Sequence, residues 1–104
     1  MNKERVINLL DQLSSILTGK EEEIGKEKTE KLQSVLLVAK EDVASKEGVA
    51  LANSLSGFVQ MISKASLPGT NLHFTDQELP VWEEFKALTE KAREDGQRGL
   101  HLTI

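Results

Sequence analysis

Apolar residues recur at helical spacing along most of the chain, and the alternating pattern of a strand is nearly absent. A broad stripe of large aliphatic residues opens the chain and ends before Gly19, which suits the capping position after a helix. Gly25 and Gly48 mark the next breaks, and a loop follows over residues 67–71. The pattern predicts four amphipathic helices, over residues of about 3–18, 25–45, 49–65 and 76–95.

The start of the fourth helix is the most specific local signal in the chain. Residues 72–79 read Leu-His-Phe-Thr-Asp-Gln-Glu-Leu. The Thr75 hydroxyl can cap the helix, and the carboxylate of Glu78 can reach back to the Thr75 amide. Phe74 and Leu79 stand where a hydrophobic staple forms. We therefore predict a capping box at Thr75 that fixes the register of this helix.

Two residues modify the ends of the fourth helix. With Thr75 as the cap, Pro80 occupies the fifth helical position, where it removes the bond to the Asp76 carbonyl and crowds that oxygen. We expect a helical first turn with a local distortion. Gly96 is predicted to stop the helix, and residues 96–104 then form a tail with no strong preference for helix or strand.

Four amphipathic helices with short connections predict an all-α fold, an antiparallel four-helix bundle with a short C-terminal tail. A chain of 104 residues is long enough for a modest core, so residues 1–104 are interpreted as a single domain. Aromatic residues are few, so the core must be mostly aliphatic, and Trp82 falls on its apolar face. Gly57, in the third helix, favours close approach of a neighbouring helix over a hinge.

The charge pattern narrows the classes of partner. A net charge of -4 argues against nucleic acid as the main partner, because phosphate binding needs a basic face. Residues 20–31 interleave both signs, which favours a solvated helix face, and Glu22–Lys26 and Glu27–Lys31 have the favourable order for ion pairs along a helix. No segment resembles a signal sequence or approaches the roughly 20 apolar residues that span a bilayer, so we expect a cytoplasmic protein.

Candidate catalytic chemistry is scarce. Cysteine is absent, which excludes disulfides, thiolate metal sites and a cysteine nucleophile. The histidines, His73 and His101, lie outside the predicted helices and have no partner at a useful spacing. Neither a metal-binding motif nor a phosphate-binding loop occurs. We predict no enzymatic activity, no metal, no cofactor and no small-molecule substrate.

The end of the chain offers candidate binding residues instead. Lys91, Arg93 and Arg98 form a small basic cluster. This cluster either complements the helix dipole or attracts an anionic membrane surface or an acidic partner. The apolar residues at positions 100, 102 and 104 either fold back on the bundle or offer an adaptable edge to a partner.

The stretch from Asn71 to Leu100 resembles the corresponding stretch of the immunity proteins of pediocin-like (class IIa) bacteriocins, the enterocin A immunity family. The shared pattern is a short loop, an apolar residue, a basic or histidine position, Phe-Thr, an acidic helix start, an apolar helix and a glycine-containing turn. Here it is carried by Leu72-His73-Phe74-Thr75, by the helix of residues 76–95 and by residues 96–99. Pro80 departs from the family pattern.

The resemblance implies a cytoplasmic four-helix bundle, in part at the inner face of the membrane. Members of this family protect a producing cell from a membrane-permeabilising peptide. They act from the cytoplasmic side at the sugar phosphotransferase permease that the bacteriocin uses as its receptor, so the permease or its complex with the bacteriocin is the expected partner. Their C-terminal half determines which bacteriocin is resisted. Together with the apolar tail, the resemblance places partner binding at Arg93, Arg98, Gly99, Leu100, His101, Leu102, Thr103 and Ile104.

The main alternative is a generic helical protein-interaction module or adaptor subunit, and a small enzyme is the third class. The neighbouring genes separate the first two. A gene for a small peptide with a double-glycine leader would favour immunity, and an unrelated operon would favour an adaptor.

Overall fold

The computed structural model describes residues 2–65 and 72–102, with side chains as far as Asp95. The predicted loop at residues 67–71 lies outside the described residues. Every regular element in the described part is a helix, which confirms the all-α prediction. The helices are α1 (Lys3–Gly19), α2 (Glu21–Ile24), α3 (Lys26–Ser45), α4 (Gly48–Ala65) and α5 (Leu79–Leu102).

The first predicted helix corresponds to α1. The side chain of Asn2 caps it by accepting the Arg5 amide N–H at 3.0 Å. Its buried residues follow helical spacing and form one continuous stripe. They are Val6, Leu9, Leu10, Leu13 and Leu17.

The region of the second predicted helix is divided at Gly25. This residue has φ +93°, which favours glycine and interrupts the helical backbone, so a single turn, α2, precedes α3. The interruption places Glu22 and Lys26 on different helices. Neither the pair Glu22–Lys26 nor the pair Glu27–Lys31 forms an ion pair within 4 Å, although both have the favourable order along the chain.

The last helix is longer than predicted. Its backbone continues through Gly96 to Leu102, so the prediction that Gly96 ends the helix and opens a tail is wrong. A glycine inside a helix costs only about 1 kcal/mol relative to alanine, and good helix formers such as Gln97 and Arg98 follow it. Glycine alone therefore does not end this helix.

The core lies between the four long helices. The packed pairs are α4 with α5, α1 with α3, α1 with α5, and α3 with α4, and the short α2 packs on α1 and α3. Phe85 and Leu55 are completely enclosed. Gly57 is exposed, and a side chain added there would meet no atom within 4 Å, so the predicted close approach of a neighbouring helix is wrong.

Polar contacts join the helices at their edges. They include Lys3 with Glu47 at 2.7 Å, Arg5 with Glu84 at 2.5 Å, Lys40 with Asp11 at 2.5 Å, Ser14 with Gln33 at 2.8 Å, and Ser54 with Asp42. Each of these contacts involves at least one exposed or half-buried side chain, so they set helix register more than stability. None of the described helices combines the length and the apolar character that crossing a bilayer requires.

Candidate functional site

The segment that leads into α5, residues 72–79, is held by the predicted capping box. The Thr75 amide donates to a Glu78 carboxylate oxygen at 2.9 Å, and the Glu78 amide donates to the Thr75 hydroxyl at 3.2 Å. Both reciprocal bonds of the box are therefore present, which confirms this prediction.

Pro80 determines where regular helix begins after the box. The Leu79 amide donates to the Thr75 carbonyl at 2.8 Å, but Pro80 has no N–H with which to continue the series at Asp76. Residues 76–78 consequently form a turn, and α5 begins at Leu79, three residues later than predicted. Pro80 thus occupies the second helical position, where its missing N–H and fixed φ are tolerated.

Glu78 also binds a lysine at the junction between α1 and α2. The Lys20 ammonium, at the end of α1, lies 2.7 Å from the Glu78 carboxylate, and the two side chains are 8% and 25% exposed. Burial raises the pKa of Glu78, but the hydrogen bonds from Lys20 and from the Thr75 amide, with the positive charge of Lys20, outweigh it and hold the pKa below its usual value. The capping box is therefore tied to α1 by a charged, largely buried contact.

A series of aromatic contacts connects this segment to the core. The rings of Phe74 and Trp82 stack with centroids 5.6 Å apart, and Trp82 stacks on Phe85 at 6.1 Å. Phe58 of α4 meets Phe85 edge-on at 5.5 Å. Trp82 is buried, which confirms its predicted place in the core. The segment before α5 is thereby anchored by stacking as well as by its box.

A shallow recess of about 260 Å³ opens beside this stack. Trp82 forms part of its lining, and the Lys86 ammonium lies 5.5 Å from the Trp82 ring centroid. Glu83 and Lys86 form an ion pair at 3.4 Å across one turn of α5. His73 is exposed at the edge of this recess and outside the helices, as predicted. The recess combines an aromatic base with charged edges, which suits contact with a partner surface.

Of the predicted partner-binding residues, those from Arg93 to Leu102 lie along the second half of α5. Arg93 is exposed. The backbone of residues 98–102 is helical, so His101 lies within a helix, and the expectation that both histidines lie outside helices is wrong for His101. The structure describes side chains only as far as Asp95. The other predicted partner-binding residues follow that point, and they are Arg98, Gly99, Leu100, His101, Leu102, Thr103 and Ile104.

The described part of this surface is mixed in charge. Lys91 and Arg93 are exposed, and so are Glu90, Glu94 and Asp95. Up to Asp95, basic and acidic groups are therefore mixed, and the two described members of the predicted basic cluster have acidic neighbours. Such a surface favours a partner that presents both signs of charge.

A second recess was not anticipated from the sequence. It has a volume of about 300 Å³ and lies where α2, the start of α3 and the end of α4 meet. We call it the lysine groove. From the sequence, the charged stretch at residues 20–31 was interpreted as a solvated face. Its position beside α4 is set by the fold, so the sequence pattern alone could not predict the groove. The lining residues are Ile24, Lys28, Lys31, Leu32, Met61, Lys64, Ala65 and Leu72.

Within the described residues, no cluster of three or more histidine, aspartate or glutamate side chains could hold a metal ion. No protein-family model, no curated protein and no solved structure gives a significant match to this chain. The functional interpretation therefore depends on the residues and their geometry.

Proposed function

We propose that this chain is an immunity protein that protects a bacterial cell from a pediocin-like bacteriocin, acting from the cytoplasmic side at the receptor permease. The observation that carries the proposal is the segment Leu72-His73-Phe74-Thr75 at the head of a long last helix. Two residues that carry the resemblance also hold this segment in place. Thr75 does so through the capping box, and Phe74 does so by stacking on Trp82.

The proposed architecture is an antiparallel four-helix bundle formed by α1, α3, α4 and α5. The order of the contacts between α1 and the α3 region supports opposite directions for the two helices. Residues later in α1 contact residues with lower numbers in the α3 region. The pairs are Lys3 with Glu47, Asp11 with Lys40, and Ser14 with Gln33. Similarly, Asp42 near the end of α3 meets Ser54 in α4.

The proposed recognition surface is the outer face of α5 with the residues that follow it. A helical backbone through Leu102 carries residues 93–102 on one rigid element, and rigid presentation lowers the entropic cost of binding. Arg93 is exposed and available to an acidic group of the partner. The permease, alone or with its bound bacteriocin, is the proposed partner.

Expression in sensitive cells tests this function. Cells that carry the chain should survive at least one pediocin-like peptide at concentrations that kill cells with an empty vector. A panel of such peptides is needed because the members of the resembled family discriminate between bacteriocins. Protection against no member of the panel, with the chain folded and abundant in the cells, would contradict the proposal.

A generic helical interaction module is the second candidate function. It is favoured by Leu37 and Val38, which lie side by side on α3 and are more than half exposed. Adjacent exposed aliphatic residues suit a partner interface, although the patch is small. Substitution of both by glutamine would abolish the partner contact of an adaptor that uses α3. It should leave protection unchanged if recognition lies on α5.

A further inference from the structure

The lysine groove combines an apolar base with a cationic edge. Its base is formed by Ile24, Leu32 and Leu72, each of which is 7% exposed or less. Lys28 and Lys31 of α3 and Lys64 of α4 are exposed and complete the lining. None of the described residues that line the groove is acidic. The groove is therefore a local positive site on a chain whose net charge is -4.

The three ammonium groups have no anionic partner among the described residues. None of Lys28, Lys31 and Lys64 lies within 4 Å of a carboxylate. Lys28 and Lys31 are three residues apart on α3, which places them as neighbours on one helix face. Like charges at this spacing repel one another. An anion bound between them would relieve that repulsion.

The shape of the groove restricts the apolar part of a ligand. A helical peptide is about 10–12 Å across with its side chains. The groove has a volume of about 300 Å³, which is too small to hold a helix of several turns. A single alkyl chain fits such a cleft. Met61, exposed at its side, has a flexible side chain that can adjust to the chain length.

We propose that the lysine groove binds one monomeric long-chain fatty acid. The alkyl chain lies over Ile24, Leu32 and Leu72, and the carboxylate lies among the three lysine ammonium groups. A volume of about 300 Å³ falls at the lower end of the range for small-molecule sites, which are mostly apolar with a few placed polar groups. The proposal is independent of the immunity function.

Titration of the full chain with dodecanoate below its micelle concentration tests this assignment. Calorimetry should show saturable binding with one site, and backbone amide shifts should change around Ile24, Leu32 and Met61. Decanoate should bind on the order of tenfold more weakly, since each buried methylene contributes about 0.8 kcal/mol, or about fourfold in affinity. Dodecyltrimethylammonium has the same alkyl chain with a cationic head, and it should not bind.

Charge variants separate the groove from general electrostatics. Lys28→Gln/Lys31→Gln/Lys64→Gln should weaken dodecanoate binding at least about tenfold. The control Lys26→Gln/Lys91→Gln/Arg93→Gln removes the same number of exposed positive charges outside the groove and should bind as the wild type does. Thermal unfolding confirms that both variants are folded.

A substitution at the apolar side gives a second comparison. Met61→Glu places a carboxylate beside the groove and should abolish dodecanoate binding. Gln60→Glu adds the same charge at the next exposed position of α4, outside the lining, and should reduce binding much less.

Four results would overturn the assignment. The first is that the folded wild type shows no saturable binding of dodecanoate, and the second is that dodecyltrimethylammonium binds as tightly as dodecanoate. The third is that the groove variant and the control variant weaken dodecanoate binding equally. The fourth is that the protein binds anionic phospholipid vesicles but not monomeric dodecanoate. The last result would assign the lysines to a membrane surface. Equal weakening would assign the effect to net charge.

Discussion

The Lys20 ammonium and the Glu78 carboxylate lie 2.7 Å apart, and both side chains are largely withdrawn from water. The contact joins the end of α1 to the turn before α5. The same carboxylate accepts the Thr75 amide N–H of the capping box. Glu78 therefore serves two structural roles, one in the capping box and one in the contact with Lys20.

Glu78→Gln should destabilise the protein because it leaves the Lys20 charge buried without a counter-charge. The glutamine oxygen can still accept the Thr75 amide, so the capping box is preserved. A loss of about 1–3 kcal/mol is expected in urea unfolding. Glu84→Gln is the matched control on α5, where it removes an exposed pair with Arg5, and its effect should be much smaller. Equal effects of the two substitutions would rule out a special role for the buried contact.

Acid should weaken the same contact. The pKa of Glu78 is lower in the folded protein than its usual value of about 4.3. Its contribution to stability is therefore complete above that usual value and is lost as the pH falls towards the folded pKa. The pKa values of Glu47 and Glu84 are also lowered, by Lys3 and Arg5, so other carboxylates contribute with the same sign.

The contribution of Glu78 to acid sensitivity is isolated by comparing variants. Urea unfolding of the wild type and of Glu78→Gln between pH 6 and pH 3 should give curves that converge at low pH, because only the wild type loses this contact. If the two stability curves stay parallel across the range, the Glu78 carboxylate is not the titrating group.

The hydroxyl of Thr89, buried in α5, has no hydrogen-bond partner within the described part of the chain. Thr89→Val should leave stability unchanged or raise it by up to about 1 kcal/mol, since an unsatisfied buried polar group is replaced by a methyl of similar shape. Thr29 is equally buried, but its hydroxyl donates to the Gly25 carbonyl at 2.8 Å. Thr29→Val should instead cost about 1 kcal/mol. Thermal melts of the two valine variants that shift equally in one direction would refute this distinction.

Gly57 is a site where alanine should stabilise the protein. It lies inside α4 with open space around it, so alanine removes the entropic cost of glycine without a clash. We expect a gain of about 0.5–1 kcal/mol in urea unfolding. Gly25→Ala is the opposite case, because φ +93° is strained for any other residue, and it should destabilise. A loss of stability in Gly57→Ala would mean that α4 needs flexibility at this point.

Local features of the fold were predictable from the sequence. The Thr75–Glu78 box spans four residues, and all of its donors and acceptors belong to that segment, so a short pattern suffices to predict it. The long helices follow from the apolar period for the same reason. Trp82 was assigned to the core from its position on that period alone.

Features that depend on distant residues were not predictable. Glu78 meets Lys20 only after α1 and α5 are packed, and no local pattern relates positions so far apart. The lysine groove likewise needs Lys64 of α4 beside Lys28 of α3. The predicted end of the last helix was wrong because Gly96 was interpreted as a helix stop, although a glycine inside a helix is only slightly destabilising.

The protection of sensitive cells by a C-terminally truncated chain tests the proposed function most directly. Minimal inhibitory concentrations of a panel of pediocin-like peptides are measured in three types of cell, which carry the full chain, a chain ending at Arg98, or an empty vector. Both chains are also purified and tested for cooperative thermal unfolding. We predict that the full chain raises the inhibitory concentration of at least one peptide, and that the truncated chain melts cooperatively but does not protect. Full protection by the folded truncated chain would contradict recognition by the end of α5. A full chain that is folded but protects against no peptide would contradict the immunity function itself.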